Sequence, residues 1–505
     1  MDARELGRRR RGYLPPVSKP LAAALALSVF AQACTSTPVT PLRDYALVPL
    51  PSEVTDGIGA ADVSALAVGP VSGTLATYTA EAEADWLSGD DVSAATPLSL
   101  RPDAALGAEA YRIDVLPERI TIASGGAAGA FYGLQTLRQL VEQARATGGE
   151  LAAGTIVDRP RFRYRGIMLD LARHFHPPTE IRRVIDLMSH YKMNALHLHL
   201  TDDQGWRIEI KSWPRLTEVG GATQVGGGGG GFLTQDDYGG LVAYAKTRHV
   251  TIVPEVDLPG HTQAALASYP ELGCNLEDPN PQPYEGTDVG FSTLCIGAPA
   301  VERFVGDVLG EIAALTPGPY LHIGGDESHA TDPLDYRRFV AEAEAVVRAN
   351  GKRAIAWDEF ATADADGSAI VQYWHSAENA ALAEAAGQEL IMSPAHRAYL
   401  DMQYDSTSRI GLHWAAYITP EDGYDWDPAT EVPGVTDADI LGIEAPLWTE
   451  TVATREDLDY LLFPRLLGYA EIGWTPGERR DWGAYAKRLD VQRDWLRGQG
   501  VAVVE

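Results

Sequence analysis

In the stretch LHIGGDESH, residues 321–329, an apolar run and two glycines lead into the adjacent acids Asp326 and Glu327. Carboxylates can donate and accept protons, hold hydroxyl groups or ligate a metal ion. If both lie on a strand they point to opposite sides, so one can reach a reacting bond while the other addresses a different part of the same ligand. Gly324 and Gly325 lack Cβ and let a ligand or a neighbouring strand approach the backbone there. Other residues of chemical use occupy similar positions: Arg173 and His174, Asp202 and Asp203, Asp257 and His261, Trp357, Trp374, Tyr399 and Asp401, Trp448 and Glu450. Neither HExxH nor a cysteine-rich ligand spacing occurs, so no metal and no cofactor is expected.

The elements that must position these residues begin at about Arg161, where short apolar runs alternate with longer helical patterns, as in a parallel sheet of β-α units. The strand candidates are RYRGIMLDL from 163, ALHLHLTD from 195, VTIVPEVD from 250, PYLHIGGDE from 319, RAIAWDE from 353, AIVQYWHS from 369, ELIMSP from 389 and ILGIEAPLWTE from 440. Between them TEIRRVIDLMSHYKM, DYGGLVAYAKTRH, DYRRFVAEAEAVVRAN and ENAALAEAAG are rich in helix formers with apolar residues at helical spacing. This pattern predicts a (β/α)8 TIM barrel, whose site lies at the C-terminal strand ends. Every residue named above falls on or just after such an end. Singly each has an ordinary use, as a core tryptophan or a solvated arginine; packing gives no reason to gather them all on one rim.

The rest of the chain divides around that barrel, assigned to residues 159–505. Residues 41–158 mix short strand-like runs (LAVGP, YRIDVLPERITIAS) with the amphipathic stretch GAFYGLQTLRQLVEQA and predict a small α/β domain. The glycine run 226–231 reads as a flexible insert without a phosphate site. Residues 1–33 read as an export signal, because RRRRG precedes the apolar run LAAALALSVFAQA. That run is too short for a bilayer, which needs about 20 residues. Arg10-Arg11-Gly12-Tyr13-Leu14 also resembles a twin-arginine signal. Residues 34–40 form a linker.

Three cysteines and a net charge of −29 narrow the setting. Cys274 and Cys295 flank a Pro/Asp/Gly-rich loop that a disulfide would pin in an oxidising compartment, contributing roughly 3 kcal/mol. Cys34 is left over: it sits where a bacterial lipoprotein carries its lipid, and plain cleavage after Ala33 is the alternative. The predicted location is therefore exported, whether periplasmic, surface-bound or secreted, with contact to a membrane only through an anchor at Cys34. The acidic balance argues against nucleic acid as a partner. Oligomeric state is not encoded in any of these features.

A pocket floored with indoles and edged with carboxylates suits a sugar, whose apolar faces lie on aromatic rings while acids and arginine bind its hydroxyls. The motifs RGIMLDLARHF, MNALHLHLTDDQGWRIEI, PEVDLPGHT, HIGGDE, WDE and LWTE occur in an order that resembles family-20 glycoside hydrolases, the β-N-acetylhexosaminidases. Residues 161–475 resemble that family's catalytic barrel, and residues 41–158 resemble the small domain preceding it. The resemblance implies exo-acting, retaining removal of N-acetylhexosamine from oligosaccharides by a substrate-assisted route, one of the recognised exceptions to the two-carboxylate rule. It implies Glu327 as general acid and base, Asp326 orienting the acetamido nitrogen and Tyr399 bonding the acetamido oxygen. Trp357, Trp374 and Trp448 would wall the acetyl pocket, Arg173, Asp401 and Glu450 would bind ring hydroxyls, and Asp202 with His261 would support Glu327. An acid that works near neutral pH must retain its proton, which a dry pocket and the neighbouring charge of Asp326 would favour. Two alternatives share these residues: an enzyme of the same mechanism that releases a disaccharide, and a non-catalytic sugar-binding lipoprotein.

Overall fold

The computed structural model describes residues 39–88, 95–274, 280–363 and 367–504. The export signal at 1–33, Cys34 and most of the linker lie outside the described residues.

Strands β1 (Glu53–Asp62), β2 (Leu66–Val68), β3 (Thr96–Pro102), β4 (Tyr111–Leu116), β5 (Arg119–Ser124) and β6 (Glu150–Asp158) form one sheet in the order β1-β6-β4-β5-β3-β2. The helix Ala127–Ala146 packs on it through Phe131, Leu134, Leu137, Leu140 and Val141, an apolar stripe at helical spacing that meets Ile113, Ile122 and Ile156. Asp158, at the end of β6, ties this domain to the barrel. Its buried carboxylate accepts from Lys192 Nζ at 3.1 Å and from Trp474 Nε1 at 2.9 Å.

All eight strand candidates form strands, and neighbours pair in parallel around a closed barrel. They are β7 (Tyr164–Asp170), β8 (Ala195–His199), β11 (Thr251–Glu255), β12 (Tyr320–His322), β13 (Arg353–Trp357), β14 (Ile370–Tyr373), β15 (Glu389–Met392) and β16 (Ile440–Leu447). A short antiparallel ribbon, β9 (Thr201–Asp202) with β10 (Gly205–Trp206), follows β8. The strands are buried on both faces, which explains why their sequences are nearly continuous apolar runs.

Two expectations need correction. β12 stops at His322, so Asp326 and Glu327 lie on the turn beyond it and strand alternation does not govern them. The backbone leaves the strand through left-handed residues, Gly324 at φ +67°, Gly325 at +102° and Glu327 at +44°. The glycine run at 226–231 is also not a loose insert. Gly226 N–H donates to Glu285 O and Gly231 N–H to Gly221 O, both at 2.9 Å, and a Cβ on Gly231 would meet the Phe175 ring at 2.2 Å.

Candidate active site

The turn carrying Asp326 and Glu327 is fixed from several sides. A Cβ on Gly324 would fall 1.8 Å from Asp257 Oδ1, so close packing as well as positive φ requires glycine there. Gly325 N–H donates to Asp257 Oδ1 at 2.9 Å, and Tyr336 Oη donates to Gly325 O at 2.7 Å. Glu327 N–H points to Glu359 Oε1 at 3.3 Å. His261, itself left-handed at φ +51°, faces both acids: its Nε2 is 3.6 Å from Glu327 Oε2 and 3.8 Å from Asp326 Oδ2. The two carboxylates therefore converge on one nitrogen and are not opposed across a cleft. Left-handed non-glycine backbone of this kind is held only where surrounding packing dictates it.

Behind His261 stands the pair expected from the sequence. His261 Nδ1 donates to Asp202 Oδ1 at 3.1 Å, and Arg173 Nη2 lies 2.8 Å from Asp202 Oδ2. Burial alone would lower the His261 pKa, but Asp202 and Asp326 outweigh it and push it up to about 10. Burial and the facing Asp257 carboxylate raise Asp326 well above the usual carboxylate range, and burial with Glu255 raises Asp257 likewise. Desolvation thus falls mainly on Asp326. The Glu327 side chain is 29% exposed toward the pocket, against the expectation of a dry acid.

A pocket of about 240 Å³ opens at this rim, lined among others by Arg173, Asp326, Glu327, Trp374, Tyr399, Asp401, Trp448 and Glu450. Trp374 and Tyr399 lie parallel with centroids 6.3 Å apart, and Arg173 stacks on Trp448 at 4.8 Å. Asp358 places Trp374: its Oδ2 accepts from the N–H groups of Trp374, His375 and Ser376 at 3.1, 2.9 and 2.9 Å. Both oxygens of Asp401, Oε2 of Glu450 and Oδ1 of Asp326 are buried with no protein hydrogen-bond partner among the described residues. Burial raises the Asp401 and Glu450 carboxyl groups, with the charge of Glu450 adding to the rise of Asp401 and Arg173 opposing that of Glu450. Buried acceptors of this kind are ready for ligand hydroxyls or N–H groups.

Trp357 does not line the cavity. It is fully buried behind it, packed 5.9 Å from Trp448, with its Nε1 donating to Glu255 Oε1 at 2.9 Å. Cys274 and Cys295 form the expected disulfide with Cα atoms 4.6 Å apart, closing the loop that brings Thr287 and Val289 to the pocket mouth. Sequence reasoning passed over Trp414, which is 54% exposed on the pocket edge, and Glu359, which accepts from Trp374 Nε1 at 3.1 Å. Burial and the charge of Asp358 raise the Glu359 pKa to about 7. The WDE motif already contained Glu359; Trp414 sits in a loop without periodicity. Clusters such as Asp202, Asp203 and His261 have metal-ligand residue types. His261 Nδ1 bonds to Asp202 Oδ1 and Asp203 Oδ1 to Ser292 Oγ and Gln263 N–H, while Asp203 Oδ2 and His261 Nε2 are buried with no hydrogen-bond partner among the described residues.

Comparison with known proteins agrees with this geometry. The family model "Glycosyl hydrolase family 20, catalytic domain" matches residues 162–336 and 330–477, and "Glycosyl hydrolase family 20, domain 2" matches residues 44–159. A β-N-acetylhexosaminidase of Cellulomonas fimi is 42% identical over 395 residues, 78% of this chain and 79% of that protein. The GH20 β-N-acetylhexosaminidase structure from Streptomyces coelicolor superposes with TM-score 0.84 at 42% identity, covering 92% of this chain and 98% of that one. A mutant Streptomyces plicatus β-hexosaminidase in complex with product (GlcNAc) gives TM-score 0.86 at 41% identity, covering 93% and 98%.

Proposed function

Since this chain belongs to glycosyl hydrolase family 20 and is a β-N-acetylhexosaminidase, we propose that it removes single terminal GlcNAc or GalNAc residues with retention, using the substrate's own acetamide as nucleophile. The observation that carries this reading is the set of unpartnered, buried carboxylate oxygens of Asp326, Asp401 and Glu450 around one aromatic-walled pocket. Asp401 and Glu450, with Arg173, take hydroxyls of the terminal sugar and close the pocket beyond it, which favours release of one residue. Tyr399 donates to the acetamido oxygen, and Trp374 and Trp448 enclose the acetyl group, with Trp357 as backing.

In the first step the acetamido oxygen bonds to the anomeric carbon while the glycosidic bond breaks, and Glu327 gives its proton to the departing oxygen. Asp326 accepts from the acetamido N–H; the positive charge growing on the oxazolinium ring favours its ionised form against the burial that raises it, and the resulting negative charge offsets that growth. In the second step water gives a proton to Glu327 and its oxygen to the anomeric carbon, reopening the ring. The neighbouring placement of Asp326 and Glu327 supports this route, because a protein nucleophile would need to face the acid across the sugar at about 5 Å.

The test compares 4-nitrophenyl N-acetyl-β-D-glucosaminide and its galacto epimer with the matching 2-hydroxy sugars, together with products from a chitin trimer. Activity confined to the acetamido substrates with monosaccharide release is the expected result. Comparable rates on the 2-hydroxy sugars would require a protein nucleophile, and disaccharide release would refute the exo reading. We further propose that residues 1–33 export the chain and that Cys34 carries a lipid. An unmodified mature N-terminus by mass spectrometry would remove the anchor.

A further inference from the structure

Below the pocket, the barrel is filled by ionisable side chains that the reaction scheme does not use. His199 Nδ1 donates to Glu255 Oε2 at 2.5 Å and its Nε2 donates to Asp202 Oδ2 at 2.8 Å. His197 Nδ1 donates to Glu444 Oε1 at 2.9 Å, and its Nε2 is 3.0 Å from Glu255 Oε2. Together with His261, three histidines thus stand between carboxylates in the sequence Glu444, His197, Glu255, His199, Asp202, His261, ending at Glu327. Every member up to His261 is buried. His199, with an acceptor at each nitrogen, is satisfied only when both nitrogens carry protons. His197 Nε2 and His261 Nε2 make no hydrogen bond among the described residues but each faces a carboxylate, at 3.0 and 3.6 Å, so the chain alternates negative and positive charges. Burial opposes those charges, but the flanking carboxylates win, raising His197 to about 9 and His199 well above its ordinary value.

The other oxygen of Glu255 serves the opposite half of the site. Its Oε1 accepts from Trp357 Nε1 at 2.9 Å, and the Trp357 indole backs Trp448 in the pocket wall. We propose that Glu255 is a positioning residue for both halves: through His199, Asp202 and His261 it fixes the charge presented to Glu327, and through Trp357 it fixes the acetyl-pocket wall. The proposal rests on the reading of Glu327 as the proton donor.

The groups facing Glu255 are His197 and His199 on β8, His322 on β12 and Trp357 on β13. His322 stacks on His197 with centroids 4.5 Å apart and accepts from Gly324 N–H at Nδ1; burial holds its pKa below the ordinary value, so the stacked pair carries one charge. Beyond them Tyr164 and Gln372 donate to Glu444, while Arg173 neighbours Asp202 and Asp257 approaches His199. When Glu327 releases its proton, the charge left behind is met by His261, whose own charge is anchored by Asp202. Replacing Glu255 by Gln removes one counter-charge from His199, which then becomes neutral. Asp202 loses that positive neighbour, and the potential at His261 and Glu327 becomes more negative.

The experiment uses full-length wild-type protein, Glu255→Gln and Glu444→Gln, with selectively 15N-labelled histidine and with pH profiles of kcat/KM. The expected result is imidazolium signals for His197 and His199 near pH 7 in the wild type and a neutral His199 in Glu255→Gln. The basic limb of that variant should move up by at least about 0.5 unit with a rate loss of about tenfold or more. Trp357→Phe, which removes the indole donor together with part of the ring that backs Trp448, should raise KM and leave that limb in place. Neutral His197 and His199 in the wild type, or variant profiles that superimpose on the wild type after scaling, would overturn the proposal. If Glu255→Gln does not fold by circular dichroism, Glu444→Gln tests the same chain one histidine further out, with a smaller shift expected. Absence of hydrolysis by the wild type would refute the functional reading instead, since the histidine charge states are read without turnover.

Discussion

Two adjacent layers of the barrel interior are built from opposite materials. The lower layer takes Tyr164, Ala195, Val253, Tyr320, Ile355, Ile370, Ile391 and Leu441 from the same strands that, two or three residues later, supply His197, Glu255, His322, Trp357, Gln372 and Glu444. The lower layer shows that this backbone can be filled with apolar side chains, each fully buried one contributing roughly 1.5–3 kcal/mol. The layer above gives up that packing for buried ions, which contribute little net stability after desolvation. The difference teaches that the barrel is stabilised from its lower end and made chemically active at its upper end, with the ionic layer as the transition.

Substitutions can break or sharpen this contrast. The largest effect is expected at the very top: Glu327→Gln should lower kcat/KM on oligosaccharides by about 10³-fold or more and on 4-nitrophenyl glycosides by much less, since the activated leaving group needs no proton. Equal losses on both substrates would argue against its acid role. Asp326→Asn should lower activity on acetamido substrates by about 10²-fold through loss of charge stabilisation, and steady-state kinetics at one pH suffice to check it. In the lower layer, Ile355→Ala should instead reduce unfolding stability by about 2–5 kcal/mol while kcat/KM stays within about twofold. A comparable catalytic loss there would dissolve the distinction between the layers.

The smallest effect is a slope of stability with pH. His261 is held at about 10 and His197 at about 9, both above the unfolded value, so their contribution is complete below the unfolded pKa and is lost as pH rises through the folded ones. The thermal midpoint should therefore fall between about pH 7 and 10. Asp202→Asn, which removes the chief positive influence on His261, should flatten that fall in a thermal-melt series.

The strands of the barrel were legible because burial on both faces leaves continuous apolar runs, as in RGIMLDL and ILGIEAPL. In the small domain β1 was missed: its sequence EVTDGIGAAD carries two glycines and is largely exposed, so neither alternation nor apolarity marks it. Rim residues were legible because they follow strand ends, and the fold gives those ends a common location. The ionic layer was not, although His197, His199 and Glu255 lie inside quoted motifs, because a letter within a strand does not say whether it faces the barrel axis. The turn at Gly324 was misjudged for a related reason, since the sign of φ depends on Asp257 and Tyr336, partners distant in sequence.

Trp414 has a further consequence for measurement. Among the 11 tryptophans it alone is as much as half exposed, and it stands on the pocket edge. Its emission should respond to acrylamide far more than that of the buried indoles, and a sugar ring seated against it would shield it. Intrinsic fluorescence quenching thus offers an optical titration of occupancy in a variant that binds and does not turn over, such as Glu327→Gln, without any label or chromogenic group.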